Sequence, residues 1–327
     1  MTVRVLITGA LGYLGGRIAS AFIAEGGFDL VLATRRVPTE HPAWVSKAKL
    51  IATDLAEPAS LNAACEGADC VIHLAALNEI ESANDPALAL EVNGVGTLKM
   101  LEAACRQKVR RFVYFSTAHV YGAPLAGRID ESTFPRPVHP YAITHHVAED
   151  FVLAALRQGR IEGVVLRLSN GYGPPADARV NRWTLVVNDL CRQAVCEKQL
   201  TLNSPGLQVR DFVALSDVAR ATSHLVRLPK SALGDGLFNM GGDNPMRICD
   251  MATKIAERCH AVLGFRPPIR MPAPAGEEQP QVLDYRIDRL KATGFALAGD
   301  ADGEIDATLR LCQRAFAESN HARAARN

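Results

Sequence analysis

The chain has 327 residues, 48% of them hydrophobic, with 36 Lys+Arg against 35 Asp+Glu. That length can bury one large core or two coupled ones, and so even a charge balance offers no field that would favour nucleic acid or an anionic membrane. No apolar run reaches the ~18–20 residues that span a bilayer, "MTVRVLITGA" enters a strand rather than a signal peptide, and the eight cysteines form no CxxC pair, so a reduced cytoplasmic protein without a metal centre is expected.

In chain order, the predicted strands are "VRVLIT", "DLVLAT", "KLIATD", "CVIHLA", "RRFVYFS" and "EGVVLRLS", separated by amphipathic stretches such as "GGRIASAFIAEG" and "PALALEVNGVGTLKMLEAACRQ". Apolar strands alternating with crossover helices predict an α/β fold, a doubly wound parallel sheet with helices on both faces. After Asn170 the alternation weakens and Pro and Gly punctuate the chain, which predicts a smaller lobe assembled from separated segments. The expected division is 1–172 for the main-sheet domain, returning at about 206–242, with 173–205 and 243–327 in the smaller lobe. "RDFVALSDVARA" and "GLFNMGG" are expected to rejoin the main sheet.

"VRVLITGALGYLGGRIA" places Gly9, Gly12 and Gly15 between the first strand and the first helix. Glycine there lets the backbone turn sharply and approach a pyrophosphate, whose charge then faces the helix N-terminus. The TGxxGxxG spacing resembles the short-chain dehydrogenase superfamily, and its extended branch accounts for more of the chain. Asp54-Leu55 matches that branch's adenine-contacting pair, "HLAA" (His73 to Ala76) its fourth-strand segment beneath the cofactor, and Asn93 the helix asparagine that supports the active site. The resemblance implies a Rossmann-type fold whose cofactor contacts include Gly9, Gly12, Tyr13, Leu14, Gly15, Asp54, Leu55, Leu74, Ala75, Ala76 and Asn93.

The choice of nicotinamide cofactor falls to the end of the second strand, where an acidic residue would bind the ribose 2′-hydroxyl and repel a 2′-phosphate. The residues present are Thr34, Arg35 and Arg36. Two guanidiniums suit a phosphate dianion, so NADP(H) is favoured, with NAD(H) the alternative if the pair is simply solvated.

"VYFSTAHVYG" resembles the family segment that carries a catalytic Ser or Thr four residues before a Tyr, which makes Thr117 the hydroxyl that bonds the reacting substrate oxygen. Tyr141, in "YAITHHVAED", matches the catalytic tyrosine, base for a hydroxyl or acid for a carbonyl. The family's lysine four positions on, which lowers the phenol pKa and holds the nicotinamide ribose, is replaced by His145. One helical turn separates them, so both lie on one face. His145 is either a substitute for the lysine or a sign of lost activity.

"LRLSNGYGP" resembles the branch's segment in which an asparagine, here Asn170, contacts a nucleotide-sugar diphosphate. "GLQVRDFV" resembles the G-x-Q-x-R-D-F-V segment of nucleotide-sugar epimerases and dehydratases, whose arginine, here Arg210, pairs with the diphosphate. Two departures narrow the expectation. Ala118 and His119 stand where dehydratases carry an acidic pair, and "GEEQPQVLD" lacks the arginine of the epimerases' R-P-G-D stretch. The resemblance therefore implies an enzyme on a nucleotide-diphosphate sugar, transferring hydride at C4 through a 4-keto species, first as a 4-epimerase. The alternatives are an NADPH-dependent 4-ketosugar reductase and a non-catalytic NADP(H)-sensing protein. A homodimer through helices at about 86–106 and 141–157 is also expected.

Overall fold

The computed structural model describes residues 2–274 and 282–324. The chain begins with β1 (Val3–Thr8), α1 (Tyr13–Glu25), β2 (Phe28–Thr34), β3 (Lys49–Ala52), α2 (Pro58–Cys65) and β4 (Cys70–His73). A broken helical run follows: α3 (Glu79–Asn84), α4 (Pro86–Ala89), a π-helical turn (Leu90–Val95) and α5 (Gly96–Arg106). Next come β5 (Arg111–Thr117), β6 (Gly127–Ile129), α6 (Pro140–Arg157), β7 (Glu162–Leu168) and β8 (Asn170–Tyr172). Beyond them lie α7 (Val186–Cys196), β9 (Leu200–Thr201), β10 (Val209–Ala214), α8 (Leu215–Arg227), β11 (Leu237–Met240), β12 (Pro245–Arg247) and α9 (Ile248–Leu263). Then β13 (Ile269–Arg270), β14 (Leu283–Tyr285), α10 (Asp288–Ala292) and α11 (Ala301–Ala324) follow.

Seven strands form one all-parallel sheet in the order β11-β7-β5-β4-β1-β2-β3. The winding direction reverses between β1 and β4, and such a switch point opens a crevice at the strands' C-terminal ends. Helices cover both faces, so a central strand such as β5 is buried along its whole length. Ile18 and Phe22 of α1 pack with Leu225 and Val226 of α8 on one side. Leu61, Met100, Leu101 and Val152, from α2, α5 and α6, fill the other. The expected Rossmann-type sheet is thus present.

One expectation is corrected. "GLFNM" rejoins the main sheet as β11, but the strand in "RDFVALSDVARA" does not. It is β10, and it pairs with β8 and β12 in a separate three-stranded sheet. The reason is occupancy: β5 and β11 take both edges of β7, so β10 meets β8, where the chain has left the sheet after Leu168. The helix that follows, α8, does return to pack on α1. A further apolar cluster, including Val187, Leu190, Cys191, Ile255, Cys259, Leu309 and Cys312, forms under α7, α9 and α11. Two shorter pairings, β6 with β14 and β9 with β13, complete the sheets. No helix among the described residues is long and apolar enough to cross a membrane.

Candidate active site

A cavity of about 830 Å³ opens over the switch point. Gly9, Gly12, Tyr13, Leu14, Gly15, Arg35, Asp54, Leu55, Leu74, Ala75 and Ala76 line one part of it, and Thr117, Tyr141, His145, Asn170 and Arg210 line the rest. Residues scattered over two hundred positions therefore share one space. Arg36 and Asn93 do not line it. The chain turns at Arg36, whose carbonyl accepts from the Thr34 hydroxyl. Asn93 is fully buried behind the wall, where its Oδ1 accepts from the Leu77 N–H (2.7 Å) and its amide donates to Thr144 (3.1 Å). It sits in the π-helical turn and braces the wall from behind, so its expected direct contact with a cofactor is corrected.

The glycine turn is fixed by close backbone approach. Gly9 has φ +62°, and a Cβ there would lie 3.0 Å from the backbone of Leu74 and Ala75. At Gly15 a Cβ would come within 2.3 Å of the Gly9 carbonyl. Thr8 holds the two strand ends together: its hydroxyl oxygen accepts from the Leu74 and Ala75 N–H groups, and its proton goes to Nδ1 of His73 at 2.8 Å. His73 Nε2 donates in turn to Thr97, whose proton goes to the Asn93 carbonyl. Burial pushes His73 down to about 3, so it stays neutral in this chain of bonds. No side chain caps α1, and its first turn carries no acidic residue, so its N-terminal N–H groups face the cavity without a partner side chain.

At the chemical end, His145 Nδ1 lies 2.9 Å from the Tyr141 carbonyl oxygen, and the two rings pack with centroids 4.1 Å apart. A carbonyl only accepts, so Nδ1 carries the proton and Nε2 of the neutral ring is an acceptor. Where the family's lysine would donate, a ring in this state offers only an acceptor to a partner hydroxyl. Burial pushes His145 down to about 4, opposed by the Tyr141 carbonyl and by Glu79. Burial, then Glu79, holds the Tyr141 phenol well above its usual range. Thr117 is buried, and its Oγ1 accepts from the His119 N–H at 3.2 Å, which leaves its proton for another acceptor.

At the other end, the Arg210 guanidinium donates to the Gln208 side chain at 3.1 and 3.3 Å and has no carboxylate partner among the described residues. Burial lowers its pKa. Asp211 is fully buried; its Oδ2 accepts from Ser169 Oγ (2.6 Å) and the Gly242 N–H (2.8 Å), while Asn170 donates to the Asp211 carbonyl at 3.0 Å. Glu79 and Arg182, absent from the sequence reading, also line the cavity and pair with each other at 3.3 Å. They are 103 residues apart and sit in no motif, so only the fold could find them.

The NAD dependent epimerase/dehydratase family model matches residues 5–241. The chain belongs to that family. It is an enzyme of the extended short-chain dehydrogenase type and takes a nicotinamide dinucleotide, for which the uncapped α1 terminus and the glycine turn are fitted. Its relatives include the UDP-glucose 4-epimerase of Streptococcus mutans, 29% identical over 77% of this chain and 81% of that one. The human dTDP-D-glucose 4,6-dehydratase is 26% identical over 78% and 73%. The solved structure of the Thermus thermophilus UDP-glucose 4-epimerase complexed with NAD has a TM-score of 0.79 at 25% identity, covering 96% of this chain and 100% of that chain.

Ala118 and His119 leave no carboxylate directly after Thr117. His119 opens onto the cavity, where its surroundings and the Arg210 guanidinium keep its imidazole below the usual range. The stretch that lacks the epimerases' second arginine falls largely on 275–281, outside the described residues.

Proposed function

We propose that the enzyme is a nucleotide-sugar 4-epimerase in which Tyr141, Thr117 and His145 act on the sugar and Arg210 and Asn170 hold the diphosphate. The observation that carries this reading is the shared cavity. Tyr141 and the glycine turn open onto the same space as a half-buried arginine with no carboxylate partner among the described residues. A cation so placed favours a multiply charged anion.

A bound oxidised nicotinamide would supply the hydride acceptor and a positive charge. Thr117 donates its free proton to the reacting oxygen at C4. For oxidation Tyr141 must first ionise, and the phenolate would then take the C4 hydroxyl proton; the resulting phenol would return it to the 4-ketone oxygen on reduction from the other face. Neutral His145 orients a ribose hydroxyl through Nε2 and adds no positive field. Ala118 and His119 argue against 4,6-dehydration, which requires an acid that protonates the departing hydroxyl. On cofactor choice we propose NADP(H), supported now by Arg35 alone; the NAD held by the Thermus relative favours NAD(H) as the alternative. We further propose that 173–205 and 243–327 form the substrate lobe and that the chain works as a cytoplasmic homodimer.

A second reading has its own support. The phenol of Tyr141 is held firmly protonated, the state required of an acid, which suits net reduction of a nucleotide 4-ketosugar by NADPH. Incubation with UDP- and dTDP-hexoses and, with NADPH present, with the corresponding nucleotide 4-ketosugars separates the two. An epimerase interconverts C4 epimers with cofactor returned each cycle, whereas a reductase consumes one NADPH per sugar. A folded protein that binds cofactor but converts none of these sugars refutes both.

A further inference from the structure

Tyr13 is the first residue of α1, directly after Gly12, so its backbone belongs to the cofactor turn. Its side chain points elsewhere. The hydroxyl donates to the Gly173 carbonyl at 2.8 Å and accepts from Asn188 Nδ2 at 3.0 Å. Asn188, on α7, is fully buried and spends the rest of its amide nearby: Nδ2 also reaches the Arg182 carbonyl at 3.3 Å, and Oδ1 accepts from the Gly173 N–H at 3.4 Å. One turn after Tyr13, on the same face of α1, Arg17 pairs with Glu304 of α11, which also accepts from the Ser216 N–H. The segment fastened by Asn188 supplies Val180, Arg182, Leu185 and Val187 to the cavity wall. Buried and doubly bonded, the Tyr13 hydroxyl fixes the distance between two binding surfaces far apart in sequence.

We propose that the Tyr13–Asn188 bond couples cofactor binding to the ordering of the substrate-side segment 173–188, with Tyr13 and Asn188 as positioning residues. The role given to that segment rests on the nucleotide-sugar reading above; the coupling itself does not. A dinucleotide that orders the N-terminal turn of α1 fixes the Tyr13 ring, and through Asn188 the backbone at Gly173 and Arg182. Such coupling is reciprocal, so a ligand on the segment tightens the dinucleotide by the same factor.

Amide hydrogen exchange of the full chain, with and without saturating NAD⁺ or NADP⁺, tests this without any sugar. In the native protein the dinucleotide should slow exchange in 173–188 by on the order of tenfold, alongside protection of 9–15. Tyr13→Phe should keep the protection of 9–15 and lose that of 173–188, and Asn188→Ala should do the same; thermal melting checks that each is folded. Equal protection of 173–188 in native protein and Tyr13→Phe overturns the proposal, as does protection of 9–15 alone in the native protein. In a second arm, UDP-glucose and dTDP-glucose are titrated with and without dinucleotide. Absence of sugar-nucleotide binding there counts against the proposed function, while the exchange result still decides the coupling.

Discussion

His145 Nδ1 donates to the carbonyl of Tyr141 at 2.9 Å, one helical turn back along α6. That single bond decides what the histidine can do. It commits the ring proton to the backbone, leaves Nε2 as an acceptor, and with burial keeps the ring uncharged at neutral pH. A lysine in the same place would be a permanent cation beside the phenol.

His145→Lys should therefore shift the pH dependence more than it shifts the maximum rate. An ammonium beside the phenol stabilises its ionised form, so the ascending limb of kcat/KM should move to lower pH by about one unit. His145→Ala removes no charge and should leave the limb in place while raising the cofactor KM. Identical pH profiles for native protein and His145→Lys would show that residue 145 does not act on the phenol.

Arg210→Ala removes the cation assigned to the diphosphate. Nucleotide-sugar affinity should fall by about 2 to 4 kcal/mol, with dinucleotide affinity unchanged, because a phosphate charge loses its charged donor. Calorimetric titration of both ligands checks it. Unchanged sugar-nucleotide affinity would remove the anchor from the substrate class.

Arg35→Ala should reduce any preference for NADP(H) over NAD(H) by about tenfold, the loss of one charge-assisted contact to a 2′-phosphate. Arg36→Ala should do little, since Arg36 does not line the cavity. Fluorescence titration of both cofactors against the three proteins is sufficient. A native protein that binds NAD(H) more tightly ends the NADP(H) proposal.

Acid should destabilise the fold through its buried histidines. The ordinary imidazole value is 6.5, and burial lowers it to about 4 at His145 and about 3 at His73. Both are neutral in the fold and take up a proton when the chain unfolds. Stability is then full above pH 6.5 and falls as pH drops toward these lower values, by about 1.4 kcal/mol per pH unit for each histidine. Urea midpoints between pH 7 and 5 should decline less steeply in His145→Asn, by one proton's worth of slope. Equal slopes would mean that His145 is not held neutral by the fold.

Leu90, Val95, Ile143 and Phe151 are exposed apolar residues on the π-helical turn and α6, whose helical elements pack together. A second copy seated on this face would cover them. Light scattering at micromolar concentration should give twice the 35.2 kDa chain mass, and Ile143→Glu with Phe151→Glu should return it to the monomer. A native monomer refutes the dimer.

The sequence alone determined whatever depends on local geometry. TGxxGxxG after a β-branched run required the strand, turn and helix seen at Val3–Glu25, because the steric exclusion at Gly15 acts against the Gly9 carbonyl only six residues away and the positive φ of Gly9 is itself local. The spacing of four between Tyr141 and His145 set them on one face of α6 for the same reason. Only the tertiary structure decided the rest. Periodicity shows that 209–214 is a strand but not that both edges of β7 are already occupied, so the sheet it joins was settled by competition among distant strands. Arg35 and Arg36 are alike in sequence, and only the folded turn after β2 brings Arg35 and not Arg36 to the cavity wall. The neutrality of His145, the Glu79–Arg182 pair and the Tyr13–Asn188 bond arise from burial and contacts across 103 to 175 residues, and no local pattern encodes how much water such a site excludes.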